Sequence, residues 1–198
     1  MPLSELVVSA DRLRAVAGQV AAGIGEAHGA NRPLLVGVLK GAVMFLADLV
    51  RAASFDLEVD FLAISPFGPG RVRLEADLAI DVAGRHVVVV EDIVDTGLTL
   101  AYLLRTLEAR RPASLEVATL LDRPARRLAD VDMRWTGLEV DDRFLVGYGM
   151  DYEGRYRDLP NIHAVEDMSM LLADPDALVP ELYGGLGGRA DRRRPGSA

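Results

Sequence analysis

Cysteine is absent from the 198 residues, which removes disulfides, thiolate metal sites and cysteine nucleophiles from consideration. Lysine is nearly absent: Lys40 is the only one, in a chain that otherwise takes its positive charge from arginine. Positive charge is itself in deficit. A formal net charge of −8 leaves no diffuse positive field that could hold a polyanion by counterion release, so nucleic acid is not an expected partner. The most apolar stretch, Pro33 to Val50, is broken by Lys40 and Asp48, and the start of the chain has no basic segment leading into an apolar one. A soluble, cytoplasmic protein with no membrane partner is expected. His28, His86 and His163 lack metal-ligand spacing and read as structural or surface residues, and the lone Trp135 reads as packing.

Half of the residues are apolar and 26% are charged, an ordinary globular balance. The length suits one domain, expected over residues 1–183. From Gly184 onward Gly, Arg and Pro replace core formers, and residues 184–198 are expected to form a disordered tail.

From Asp11 to Ala30 the positions Leu13, Val16, Ala17, Val20, Ala21 and Ile24 recur at steps of three and four, with Ser9 ahead of them as a cap: an amphipathic helix. Pro33 to Leu39 is a nearly continuous apolar run, followed after Gly41 by a helical pattern in Val43, Met44, Leu46, Ala47 and Val50. Leu57 to Ile64 reads as a second strand. His86 to Val90 reads as a third, whose four valines predict burial on both faces. A helix from Thr99 to Arg111 and strands over Leu115 to Leu121 and Phe144 to Tyr148 complete the alternation. The class is α/β with a mostly parallel central sheet flanked by helices, and ligands of such sheets sit at the carboxyl ends of the strands.

The richest stretch is Val87 to Leu100, VVVVEDIVDTGLTL, in which a buried strand carries Glu91 and Asp92 to its carboxyl end. Two acids there are costly to bury; as an isolated pair they could equally be surface acids and a helix cap. The Asp95-Thr96-Gly97-Leu98-Thr99 that follows tips the reading. Gly97 permits close backbone approach, while Thr96 and Thr99 add hydroxyls at a helix N-terminus, which together make an anion cradle. Carboxylates beside such a cradle suit a ligand with both hydroxyls and phosphate.

This stretch resembles the signature of the type I phosphoribosyltransferases, which bind phosphoribosyl pyrophosphate, and three further segments resemble the hypoxanthine-guanine branch of that family. The resemblance covers most of Leu34 to Val165. It implies the type I phosphoribosyltransferase fold with a small hood region, a dimer or tetramer of identical chains, and Mg²⁺ as cofactor. By the same resemblance Asp95 is the catalytic base, Glu91 and Asp92 hold the ribose hydroxyls directly or through a metal, and Thr96, Gly97 and Thr99 cradle the 5′-phosphate. Leu39, Lys40 and Gly41 match the pyrophosphate loop, often built on a nonproline cis peptide. Alone, Lys40 would read as a solvated turn lysine. In Arg143 to Leu159, RFLVGYGMDYEGRYRDL, the resemblance implies that Phe144 stacks on the base, Leu145 offers backbone groups to its edge, Asp151 ligates the metal and Arg157 contacts pyrophosphate.

Two departures stand out. In Thr119 to Arg127, TLLDRPARR, the resemblance places Arg123 at the base, where the family usually has a lysine reaching the purine's exocyclic oxygen; arginine can also donate there, and drift in an arginine-biased chain explains the change as well as altered base choice. In Ala63 to Gly70, AISPFGPG, Pro66 and Phe67 replace a serine-tyrosine pair of the mobile lid, and Pro66 and Pro69 stiffen it. The expected reaction is Mg²⁺-dependent transfer of the 5-phosphoribosyl group from phosphoribosyl pyrophosphate to hypoxanthine or guanine. Two alternatives use the same residues: transfer to a modified purine, deazapurine or other heterocycle, and a sensor that binds phosphoribosyl pyrophosphate or a nucleotide without turnover.

Overall fold

The computed structural model describes residues 2–66 and 72–184. The elements in chain order are β1 (Ser4–Val8), α1 (Ala10–His28), β2 (Leu34–Leu39), α2 (Val43–Ala52), β3 (Glu58–Pro66), β4 (Val72–Ala76), β5 (His86–Val94), α3 (Leu98–Glu108), β6 (Ser114–Asp122), β7 (Trp135–Glu139), β8 (Leu145–Val146), β9 (Ile162–Val165), α4 (Met168–Ala173) and α5 (Val179–Tyr183). Phe67, Pro69 and the tail from residue 185 on lie outside the described residues, so the expectations for the lid and for the tail are left there.

The valine strand organises the core. Val88 and Val90 join one apolar cluster, while Val87 and Val89 join another on the opposite face. This alternation is what a strand does with an unbroken apolar run when both faces are covered. The first cluster takes Leu13, Val16, Val20 and Ile24 from α1 and Phe45, Leu46 and Leu49 from α2. The second takes Leu100, Leu103 and Leu107 from α3. The larger sheet runs in the order β4-β3-β2-β5-β6-β7. From β3 to β7 every neighbouring pair is parallel; only β4, at the edge, runs antiparallel to β3. The mostly parallel α/β class is observed.

Ser9 caps α1 as expected, its side chain accepting from the Arg12 amide at 3.4 Å. β5 runs on to Val94, so Glu91 and Asp92 lie inside its last turn of pairing rather than beyond it. The strand expected over Phe144 to Tyr148 shrinks to Leu145–Val146. Gly147, Tyr148 and Gly149 follow with φ of 101°, 49° and 102°, and three left-handed residues in succession turn the chain out of any ladder.

A smaller antiparallel sheet, ordered β1-β9-β8, joins the two ends of the described chain. Glu181 accepts from the Leu3 amide at 2.7 Å and the Ser4 amide at 3.0 Å, tying α5 to β1. Val146, Tyr156, Leu159, Val165, Leu171 and Leu178 give this sheet its own core. Its position corresponds to the small hood region that the resemblance implies. Trp135 packs on the first cluster and meets the His28 ring edge-on at 6.1 Å, while His28 lies against His86 at 4.9 Å. His28 Nε2 also pairs with Glu116, and His86 Nδ1 bonds to the Ser114 hydroxyl at 2.8 Å, so both histidines have structural roles, while Trp135 packs.

Candidate active site

At the carboxyl ends of β2 and β5, three chain segments meet at a single glycine. A Cβ on Gly41 would fall 1.8 Å from Asp92 Oδ2, and a Cβ on Gly149 would fall 2.0 Å from the Gly41 carbonyl oxygen. Only glycine at both positions lets the Leu39-Lys40-Gly41 loop, the Asp92 carboxylate and the turn after β8 come this close. The Leu39–Lys40 peptide is cis, the geometry that the resemblance implies for this loop. Tyr148 holds the same junction from behind, its hydroxyl donating to Asp48 of α2 at 2.6 Å.

Glu91 is buried, and desolvation, with Asp92 as a second cause, pushes its carboxyl well above the usual range. Asp92 is raised too, chiefly by desolvation, against which its bond from the Ile93 amide at 2.9 Å works. Arg157 favours its charged form and Asp151 disfavours it. The free protein thus concentrates acids at the strand ends that a cation or hydroxyl donors would relieve.

The next turn carries Asp95 to Thr99. Gly97 sits at φ 78°, and a Cβ there would lie 2.7 Å from the Ala129 carbonyl oxygen. The Thr96 carbonyl accepts from the Leu128 and Ala129 amides at 2.9 and 3.0 Å, pinning the turn from outside. The amides of Thr96, Gly97 and Thr99 have no acceptor among the described residues, at the N-terminal end of the eleven-residue α3. They line a cavity of about 250 Å³ together with Glu91, Asp92 and Asp95. Asp95 Oδ2 pairs with Arg126 Nη1 at 3.2 Å. Its Oδ1 is buried with no hydrogen-bond partner among the described residues, although Arg123 Nη1 approaches to 3.7 Å.

A second cavity, of about 430 Å³, continues from the first through Leu39, Gly41, Ile64, Asp92 and Ile93. Lys40, Arg123, Phe144, Leu145, Asp151 and Arg157 line it. Lys40 is exposed at the rim. Phe144 stands edge-on to Tyr152 at 5.9 Å, and its carbonyl accepts from the Val165 amide at 2.8 Å. Arg157 pairs with Asp151 Oδ1 at 2.6 Å and donates to the Gly149 carbonyl, while Asp151 Oδ2 accepts from the Gly154 amide at 2.7 Å.

The residues expected to bind phosphoribosyl pyrophosphate, the base and the metal therefore line one continuous cleft, while Phe67 and Pro69 of the lid lie outside the described residues. Sequence reasoning missed Arg126 on Asp95, the Tyr148–Asp48 tie, and the walls Ile64, Ile93 and Met150. Arg126 lay inside a segment already singled out, but nothing in its spacing pointed to Asp95. Among the described residues no group of three or more Asp, Glu or His side chains is arranged to hold a metal ion by itself. Carboxylates in ones and twos beside a substrate are nevertheless the donor set Mg²⁺ takes, the remaining positions going to water and phosphate oxygens. Asp92 and Asp151 share the larger cavity, so the residues present fit a cation shared with the substrate.

Residues 9–153 match the family model of the phosphoribosyl transferase domain. The chain belongs to this phosphoribosyltransferase family. It is 39% identical over 165 residues to the hypoxanthine-guanine phosphoribosyltransferase of Bacillus subtilis, covering 81% of this chain and 92% of that protein. The Mycobacterium avium hypoxanthine-guanine phosphoribosyltransferase is 41% identical over 175 residues, covering 83% and 86%. The fold matches a Bacillus anthracis hypoxanthine-guanine phosphoribosyltransferase with a TM-score of 0.79 at 36% identity, covering 81% of this chain and 98% of that one. It also matches the Trypanosoma cruzi hypoxanthine phosphoribosyltransferase in complex with its product IMP, with a TM-score of 0.80 at 33% identity, covering 85% and 97%.

Proposed function

We propose that this phosphoribosyltransferase moves the 5-phosphoribosyl group from phosphoribosyl pyrophosphate to hypoxanthine or guanine, giving the nucleoside 5′-monophosphate and pyrophosphate. The observation that carries this reading is the buried, unpartnered Oδ1 of Asp95, a residue that lines the same cavity as Thr96, Gly97 and Thr99, which continues into the larger cavity lined by Phe144. A buried acceptor without a donor is a cost that a ligand's N–H would remove.

In this reading the free amides of Thr96, Gly97 and Thr99 hold the 5′-phosphate at the α3 N-terminus. Glu91 and Asp92 accept from the ribose hydroxyls. Phe144 stacks on the base, worth roughly 1–3 kcal/mol, while the Leu145 backbone meets its edge and Arg123 closes that end of the cleft. Leu39, Lys40, Gly41 and Arg157 face pyrophosphate, Arg157 through a guanidinium fork. Asp151, Glu91 and Asp92 would hold Mg²⁺, which when bound neutralises the departing anion. The bond between C1′ and the pyrophosphate oxygen breaks, a purine nitrogen takes C1′, and Asp95 Oδ1 accepts the proton of the imidazole ring.

The exposed flank formed by Val50 and Phe61 is consistent with self-association, and a homodimer or homotetramer belongs to the same reading, as does a cytoplasmic location. Arg123 in place of lysine raises one second reading, transfer to a different heterocycle, without favouring it over drift in an arginine-biased chain. Incubation with phosphoribosyl pyrophosphate, Mg²⁺ and single bases, followed by identification of the nucleotide, separates them. Inosine and guanosine monophosphates are expected. Formation of only another nucleotide supports the second reading, and binding without pyrophosphate release leaves a sensor.

A further inference from the structure

The guanidinium of Arg123 is buried at the cleft, one edge bonded to the 141–143 loop and the remaining nitrogen turned toward Asp95. Its Nε donates to the Asp141 carbonyl at 2.9 Å and its Nη2 to the Arg143 carbonyl at 2.7 Å. Its Nη1 stands 3.7 Å from Asp95 Oδ1, and its own amide donates to the Val94 carbonyl at 3.0 Å, beside Asp95 in sequence. Resting on the proposed purine reading, we infer that Arg123 is a positioning residue. It fixes the separation between the wall that carries Phe144 and Leu145 and the carboxylate that takes the base's proton.

The chemistry of the two basic side chains supports this. A guanidinium is planar, with five N–H donors in a fixed fork, so one edge can bridge two carbonyls while a further nitrogen faces a carboxylate. An ammonium is a point donor on a flexible stem and cannot span the Asp141 and Arg143 carbonyls and Asp95 together. The edge formed by Nε and Nη2 is already taken by the loop carbonyls. What Arg123 contributes to catalysis is therefore geometry, shared by every base that stacks on Phe144, rather than recognition of one exocyclic group.

The test uses the full chain with Arg123→Lys and Arg123→Met, measuring kcat and KM for hypoxanthine, guanine and unsubstituted purine at saturating phosphoribosyl pyrophosphate and Mg²⁺. Both variants should lose about 10²-fold in kcat/KM for the base, the scale of a misplaced reacting group. The loss should be the same for all three bases, and the KM for phosphoribosyl pyrophosphate should stay at its wild-type value. That split is one that general destabilisation would not produce. Arg123→Lys at wild-type turnover would overturn the inference, because a point donor would then suffice. Loss confined to hypoxanthine and guanine would also overturn it, in favour of direct contact with the exocyclic oxygen. If Arg123→Met does not fold, the lysine variant alone decides. Should the wild-type chain make no nucleotide from any of the three bases, it is the purine reading that fails, and the inference goes with it.

Discussion

The two acids at the end of β5 have opposite consequences for folding and for function. Burial raises the Glu91 carboxyl above its ordinary value of 4.5, so the folded chain keeps that proton to higher pH than the unfolded chain does. Where the native state binds more protons, stability falls as pH rises; Glu91 therefore favours the fold below about pH 4.5 and costs stability as pH climbs through its raised value. Glu91→Gln should raise the Tm of the ligand-free protein at pH 7, by about 2–4 °C for each ~1 kcal/mol relieved. The gain should vanish near pH 4.5, and calorimetric affinity for phosphoribosyl pyrophosphate should fall. A melting series across pH would count against this account if the variant were less stable than wild type at pH 7. Asp95 differs, since the role proposed for it rests on one unpartnered oxygen. Asp95→Asn should lower kcat by roughly 10²–10⁴, the usual range for a general acid or base. Turnover within twofold of wild type would remove Asp95 from the role.

At the scale of elements, the proposed function places the 5′-phosphate on the turn between β5 and α3. Gly97 combines a left-handed φ of 78° with a backbone oxygen 2.7 Å from where a Cβ would sit. Gly97→Ala meets both a conformational cost of about 1–2 kcal/mol and a steric one. The turn must shift, taking the free amides of Thr96 and Thr99 with it. The KM for phosphoribosyl pyrophosphate should rise by about tenfold or more, while KM for the base, bound against Phe144, changes little. Steady-state kinetics with each substrate varied in turn checks this. Equal effects on both KM values would mean the turn supports the whole cleft rather than the phosphate end.

At the scale of the molecule, the cleft draws on both sheets: Lys40 and Asp92 from the large one, Phe144, Leu145, Asp151 and Arg157 from the segment around the small one. A ligand spanning the two should stabilise them together. Phosphoribosyl pyrophosphate with Mg²⁺ at a hundredfold excess over Kd should add about 2.7 kcal/mol, seen as a rise in Tm. Mg²⁺ alone should shift Tm little, because no group of three acids among the described residues is arranged to hold it without substrate oxygens. A large shift with the metal alone would show a site that the protein completes by itself.

Much of this was legible in the chain itself. The four valines announced a strand covered on both faces because an apolar run leaves no solvated side, and the periodicity of α1 announced its buried stripe. The order of acids, threonine and glycine after Val90 announced a glycine turn with free amides at a helix N-terminus, because that chemistry is local. β1, β7 and β9 stayed hidden, being five residues or fewer and defined by partners remote in sequence, such as Ser4 opposite Val165. The Tyr148–Asp48 tie, one hundred residues apart, and the bonds that Arg123 makes to the carbonyls of Asp141 and Arg143 while its Nη1 stands 3.7 Å from Asp95 Oδ1 were equally out of reach. The sequence by itself determined which chemical groups the cleft would have, since composition and local spacing set them. Tertiary structure alone decided which of those groups spend their hydrogen bonds on the protein and which, like Asp95 Oδ1, are left for a ligand, because burial and pairing depend on segments that only folding brings together.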